Sequence, residues 1–490
     1  MTQVFLGIDV GTSAVKALLV DEQQRVLAQA EQALSISRPR PLWSEQDPED
    51  WWNAVARAVL ALRQAAPGNF SGVRALGLSG QMHGAVLLDR AGKVLRPAIL
   101  WNDGRSLQQC EELERLVPNL GSIAGVPAMP GFTAPKLLWL RQHEPQIFAR
   151  LATVILPKDY VRYRLTGGLA TDASDAAGTL WLDEGSRSWS AQLLQATGLS
   201  LAHMPRLLEG SQPSGVVSRD VASAWGLPSD IVVAAGAGDA AAGAVGIGAV
   251  SGGDAFASLG TSAQYFVCTA DYRPFPQAFV HAFCHAIPHR WYQMAAMLNG
   301  ASCLAWAAQL VGSDNIGALL ARVETAFKGV GSLLFLPYLT GERTPHNDPY
   351  ARGVFFGLQA ETSTEALIQS VLEGVALSLA EAQDCLGAAG TQVARVAAIG
   401  GGSRSRLWMR ILASALDRPV LLYREAAQGP AFGAARLARL ALSNEAVGEA
   451  CTAPAVSETI DPEPALVDAY RGSREKYRRL YRALKAEFRA

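Results

Sequence analysis

The sequence predicts an α/β protein of two duplicated domains, residues 1–245 and 246–490, flanking a catalytic cleft. Three observations lead there. A chain of 490 residues exceeds what one core sustains and suits two domains of ~200–250 residues. A strand–turn–strand unit occurs twice. An apolar run at 4–8 turns at Gly11-Thr12-Ser13 and returns over 14–20; residues 254–259 turn at Gly260-Thr261-Ser262 and return over 263–267. Each copy then continues as a meander, the first into 26–31 and the second, after a longer connection, into 278–287.

The turn itself carries chemistry. Glycine lets a ligand approach bare backbone, and the neighbouring hydroxyls and amides are donors. Asp9 ends the first strand beside this nest. A carboxylate there would repel phosphate unless a cation lay between, which suggests Mg²⁺ bridging to a polyphosphate. A hairpin whose Asp merely caps the turn is the plainer alternative, and the first copy alone does not separate the two. The repeat favours two phosphate loops, one per half, facing a shared cleft. This arrangement resembles the actin/hexokinase-like (ribonuclease H-like) architecture. No G-x-x-x-x-G-K-[ST] occurs, so the chain is not a P-loop protein.

Composition narrows the partners. Lys+Arg 43 against Asp+Glu 44 gives a net charge of −1 with no basic run, so neither nucleic acid nor an anionic membrane is expected. The start lacks a basic n-region and a cleavage site, and the six cysteines are scattered without a CxxC. Reduced thiols and a cytoplasmic location are expected. Residues 231–250 are apolar, but they are mostly Ala and Gly with Asp239 near the middle, which fits a soluble strand–turn–helix.

Along the chain, Asp47-Pro48 opens a helix with Trp52, Val55, Val59 and Leu62 on one face. Residues 73–79 form a strand that runs into Gly80-Gln81-Met82-His83-Gly84, placing a histidine at a strand's carboxyl end, where ligands gather. A hairpin over 85–88 and 94–100 leads to Trp101-Asn102-Asp103-Gly104-Arg105. Residues 106–166 read as helical, broken by prolines, and 171–179 as a polar loop lining the cleft. In the second half, a capping box at Thr362-x-x-Glu365 starts a long helix. The strand 393–399 ends in Gly400-Gly401-Gly402-Ser403, either a flat seat for adenine and ribose or a flexible turn. Residues 470–488 form a basic amphipathic helix docked on the body.

Asp239 stands where the strand 231–235, the turn Gly236-Ala237-Gly238 and a Gly/Ala-rich helix meet. It could accept the proton of a sugar hydroxyl attacking a γ-phosphoryl group, or it could cap its own helix. The same residues fit G-x-G-x-x-[GA], but Asp239 would stand where a dinucleotide's pyrophosphate must sit. His281, His285 and His289 recur every four residues. They fall on a strand, where a rise of ~3.3 Å per residue spaces them too widely to share one metal ion easily. His83 reads either as a turn histidine or as a donor to a ligand.

A series of motifs then occurs in one order along the chain. They are Gly7-Ile-Asp-Val-Gly-Thr-Ser, Trp43-Ser-Glu-Gln-Asp-Pro-Glu-Asp-Trp51-Trp52, Gly80-Gln-Met-His-Gly84, Ile99-Leu-Trp-Asn-Asp-Gly-Arg105, Leu156-Pro-Lys-Asp-Tyr160, Ser174-Asp-Ala-Ala-Gly178 and Gly341-Glu-Arg-Thr-Pro-His346. With them the chain resembles the FGGY carbohydrate kinases over essentially its whole length. The resemblance implies MgATP-dependent phosphorylation of a sugar, D-xylulose at its 5-hydroxyl, in D-xylose catabolism. Another ketose or polyol, or a non-catalytic sugar and nucleotide sensor, are the alternatives. It implies Asp239 as general base, and Asp9 as support for phosphate and, through water, for the metal. Met82, His83, Trp101, Asn102 and Asp103 would face the sugar. Gly11, Thr12, Ser13 and Lys16, with Gly260, Thr261 and Ser262, would hold the phosphates, and Gly400, Gly401, Gly402 and Ser403 would lie by the nucleoside. The expected partners are sugar, ATP and Mg²⁺; a homodimer stays open. The chain departs from the family pattern at Ala240, where Asn usually follows the base.

Overall fold

The computed structural model of the protein describes residues 3–424, 429–443 and 445–489. In the first half the apolar runs build a meander of β1 (Val4–Val10), β2 (Ala14–Asp21) and β3 (Val26–Ala33), each antiparallel to the next. Helix α1 (Pro48–Ala65) crosses over to β4 (Val73–Gly80), which pairs parallel with β1. Asp47 caps α1, its carboxylate accepting from the Glu49 N–H at 2.9 Å. Trp51, not Trp52, enters the core beside Val55, Val59 and Leu62, while Trp52 stacks on Trp225. β5 (Pro213–Val216), β6 (Val232–Ala234) and β7 (Ala237–Gly238) complete a sheet of order β5-β6-β4-β1-β2-β3, with β7 also on β4.

The second half repeats this plan. β8 (Ala255–Leu259), β9 (Ala263–Thr269), β10 (His281–Cys284), β11 (Trp291–Met297), β12 (Val396–Ile399), β13 (Val420–Tyr423) and β14 (Val456–Ile460) form a sheet of order β10-β11-β9-β8-β12-β13-β14. Without the added edge β10, both sheets are an antiparallel meander, two parallel strands and an antiparallel edge. The third meander strand is therefore β11, and the expected segment 278–287 supplies only the outlying β10. β11 is buried on both faces and so lacks the alternation that marks a half-exposed strand.

Helix α2 (Asp239–Gly246) follows β7 and stops at Gly246, short of the expected 250. Helix α3 (Thr364–Ala388) is capped by Ser363, one residue past the expected Thr362; its hydroxyl accepts from the Ala366 N–H at 3.2 Å. Residues 171–179 are not a loop: 171–172 end a short strand, and 173–179 form two short buried helical turns. Helix α5 (Pro464–Leu484) docks Tyr470, Tyr477 and Tyr481 into the second half's core.

Helix α4 (Pro430–Leu442) ties the halves together. It belongs to the second half in sequence but lies on the first sheet. A Cβ on Gly7 would come 1.9 Å from the Ala431 carbonyl oxygen, and one on Gly77 1.9 Å from that of Ala434. Gly433 meets α2 as closely, at the Ala242 carbonyl. Arg436 closes the contact by donating to the Val245 and Gly246 carbonyls at 2.8 and 3.2 Å, buried acceptors at the carboxyl end of α2. One hydrophobic cluster accordingly runs from Phe132 and Trp181 through Ala241 and Ala244 to Phe266 and Tyr292, through both halves.

Candidate active site

The first Gly-Thr-Ser turn is a wired structure. Asp9 pairs across the strands with Lys16 on β2 and Ser79 on β4, and its Oδ1 accepts from the Ser79 hydroxyl at 2.6 Å. Burial raises the Asp9 pKa, while the Ser79 bond and the Lys16 charge pull it back. Lys16 itself is largely exposed, 3.6 Å from Glu31. Thr12 does not offer its hydroxyl to the cleft. It donates to Gln81 Oε1 at 3.0 Å and accepts from the Trp101 indole at 2.9 Å. Gln46 supports the loop from beneath, donating to the Thr12 carbonyl at 2.8 Å and accepting from Gln81 and Trp51. Gln46 and Gln81 were not anticipated as site residues; both lie inside motifs that drew attention to their neighbours.

The turn after β4 carries Met82 and His83. Met82 is buried, and its side chain leaves no room for a Cβ on Gly238, which would meet its sulfur at 2.8 Å. His83 adopts φ +69°, and its Nδ1 lies 2.8 Å from the Gly178 carbonyl. A carbonyl can only accept, so Nδ1 carries the proton and Nε2 is left as an acceptor. The expected donor is thus an acceptor toward any ligand. Burial pushes the His83 pKa down to about 3, which keeps the ring neutral. Thr133 and the buried Lys136 both donate to the His83 carbonyl, at 3.0 and 2.9 Å, and Phe132 packs on the ring at 4.3 Å between centroids.

Trp101 is 41% exposed, and Asn102 is exposed beside it. Asp103 corrects an expectation. Its side chain is fully buried, accepting from the Ser44 N–H at 2.6 Å and from the Arg105 guanidinium at 2.8 and 2.7 Å, so it faces the protein and not a sugar. A carboxylate next to an arginine two residues on is drawn into that pair.

Asp239 opens α2 at one end of a cleft of about 790 Å³. The cleft runs between the halves past Phe256, Ser258 and Gln264 to Gly400, Gly401 and Ser403. Asp239 is open to this space, but the surrounding protein desolvates it. That, followed by the Asp9 charge, lifts its carboxyl to about 7. Among the described residues its Oδ1 accepts only from the adjacent Ala240 N–H, at 2.7 Å, so it is not engaged as a conventional cap.

The second turn is open. Thr261 and Ser262 are exposed, and their hydroxyls make no hydrogen bond among the described residues. Support comes to its carbonyls: that of Gly260 accepts from the Ala301 N–H at 2.7 Å, and that of Thr261 from the Gly300 N–H at 3.1 Å and the Ser302 hydroxyl at 2.6 Å. Gly400 has φ +88°, and a Cβ on it would approach the Leu259 carbonyl to 2.7 Å; Gly401 faces open space. The Gly400–Ser403 segment is thus an ordered turn, closed by the Ser403 hydroxyl on the Gly400 carbonyl at 2.7 Å.

No group of three or more His, Cys, Asp or Glu is placed to hold a metal by itself among the described residues. The Asp239 carboxylate in the cleft, with Asp9 close enough for its charge to act on it, fits Mg²⁺, which keeps waters and leans on substrate oxygens. His285 has both nitrogens engaged, Nε2 on the Ala249 carbonyl and Nδ1 by the Ile287 N–H, each at 3.1 Å. All six cysteines are free thiols, and no described helix is long and apolar enough to cross a membrane.

Two family descriptions match the chain: the N-terminal domain of the FGGY family of carbohydrate kinases over residues 4–246 and the C-terminal domain over 255–442. The protein is an FGGY carbohydrate kinase. The xylulose kinase of Escherichia coli (strain K12) is 49% identical to this FGGY kinase, covering 98% of the chain and 99% of that relative. A xyloylose kinase from Brucella ovis superposes with a TM-score of 0.96 at 48% identity, covering 99% and 100% of the two chains. A gluconate kinase from Lactobacillus acidophilus superposes at 0.93 with 25% identity, covering 100% and 99%. The kinase family makes ATP the co-substrate and a small sugar the acceptor.

Proposed function

We propose that this FGGY kinase transfers the γ-phosphoryl group of ATP to the 5-hydroxyl of D-xylulose, with Mg²⁺, as a step of D-xylose catabolism. The near-full-length likeness to a xylulose kinase supports the substrate. The observation that carries the chemistry is Asp239, the carboxylate raised to about 7 at the head of the nucleotide-sized cleft. A base poised near neutral pH accepts a hydroxyl proton efficiently while a substantial fraction of it is still ionised at work. In this reading Asp239 takes the 5-OH proton as the oxygen attacks. Met82 and the His83 Nε2 acceptor position the sugar, with Trp101 and Asn102 at its rim. The backbone of Gly11 to Ser13 and of Gly260 to Ser262, with Lys16, holds the phosphates, and Gly400 to Ser403 seats the nucleoside. Asp9 would support Mg²⁺ through water; the ion, when bound, neutralises charge on the phosphate oxygens.

Coupled ADP release tests the substrate. D-xylulose should exceed D-ribulose, L-ribulose, glycerol and gluconate in kcat/KM by at least about 10²-fold, because buried polar groups left unpaired by a wrong sugar are penalised. A faster turnover of gluconate or glycerol would replace the proposed substrate and leave the kinase intact.

A further inference from the structure

Behind the catalytic turn lies a cluster of charges with no solvent contact. Lys158 Nζ sits 2.6 Å from Asp159, 2.7 Å from Asp172 and 3.1 Å from Asp175, and Arg162 pairs with Asp159; all five side chains are 0% exposed. Such a cluster is an inefficient way to stabilise a core, since well-packed apolar residues do as well without the desolvation penalty. Its outward bonds are informative. Arg162 donates to the Ala235 carbonyl, immediately before the turn. Asp172 Oδ1 accepts the Ser174 hydroxyl at 2.5 Å, and Ser174 Oγ in turn accepts the Gly238 N–H at 3.2 Å. A carboxylate can only accept, so Asp172 fixes the direction of the Ser174 hydroxyl and leaves its lone pair for Gly238. The turn is therefore gripped at Ala235 and at Gly238. Between them Gly236 takes φ +79°, with its backbone against the Leu78 carbonyl. The Gly238 N–H belongs to the peptide just before Asp239, so holding it anchors the backbone from which the Asp239 side chain extends.

We propose that Ser174, oriented by Asp172 and Lys158, is a positioning residue for phosphoryl transfer that holds the Ala237–Gly238 peptide, and with it the Asp239 that follows, in the reactive orientation. This rests on the reading of Asp239 as the base. A misplacement of about 1 Å at a reacting group can reduce the rate by as much as ~10²-fold without touching binding.

The test is a double-mutant cycle of Ser174→Ala and Asp239→Asn, measuring kcat, both KM values and the melting temperature. Ser174→Ala is expected to lower kcat by about 10-fold, with both KM values within about twofold of wild type. In the Asp239→Asn background the same change should alter the residual rate by less than about twofold, because Ser174 acts only through Asp239. Ser174→Cys, close in shape but a weak acceptor, should lose kcat similarly while melting near wild type. Wild-type kcat in either Ser174 variant, or an equal loss in both backgrounds, would overturn the proposal. If Asp239→Asn alone keeps full turnover, the base assignment fails instead, whatever Ser174 does. If Asp239→Asn collapses and Ser174→Ala does not, only the positioning role fails.

Discussion

The two Gly-Thr-Ser turns share sequence, strand plan and place in duplicated sheets, yet they are built differently. In the first, the strand residue two before the glycine is Asp9, opposite Lys16; in the second it is Ser258, opposite Gln264. The first threonine is tied to Gln81 and Trp101, whereas the second projects into open space. In the function proposed above, the charged copy of the turn would serve the chemistry and link its phosphate loop to the sugar, and the neutral copy, with Ser258 and Gln264 along the cleft, would serve the grip on the nucleotide.

The largest test of that division is Asp239→Asn, expected to lower kcat by about 10²–10⁴-fold while sugar and ATP still bind. The wild-type kcat/KM should fall on the acid side of about pH 7, because the raised carboxyl takes up its proton there and stops acting as a base. An acid limb near pH 4 would mean that Asp239 is solvated like an ordinary carboxylate. The fold disfavours the ionised form, so stability is lost as pH rises through about 7. The Asn variant should therefore melt higher than wild type at pH 8, a difference that shrinks toward pH 4. Scanning calorimetry at the two pH values checks the sign.

Next comes Asp9→Ser, which gives the first turn the character of the second. We expect about a 10²-fold loss of kcat and a higher Mg²⁺ requirement, read from velocity against free Mg²⁺. An unchanged Mg²⁺ curve would place metal support elsewhere. His83→Ala should raise the sugar KM by tens of fold and leave ATP binding nearly unaltered, the scale of one lost buried hydrogen bond; parallel losses of both would show that the turn is only structural. The smallest effects sharpen the comparison most. Thr12→Val should raise the sugar KM about threefold through Trp101 and Gln81, and Thr261→Val should raise the ATP KM by a similar factor. Interchanged effects would reverse the division between the turns.

The meander, its glycine turns and the strand–turn–helix at Asp239 were legible because each is a contiguous run whose apolar pattern and punctuation act locally. Asp103 was not, since a carboxylate in a motif looks the same whether it faces a ligand or an arginine two residues away. Nor was the proton on His83 Nδ1, which depends on the Gly178 carbonyl 95 residues on. β11 went unseen because burial on both faces erases alternation, and Gln46, Gln81 and Ser174 act through partners distant in sequence.

Helix α4 has a consequence for how the chain comes to be folded. The β1–β4 segment is made on the ribosome well before the helix whose backbone rests on Gly7 and Gly77, which follows only after the strands β8 to β13. Until residue 442 is synthesised, one face of that sheet has no cover, and the carboxyl end of α2 lacks Arg436. The nascent first half must therefore wait, incompletely packed, for its own closing piece to arrive from beyond the strands of the second half.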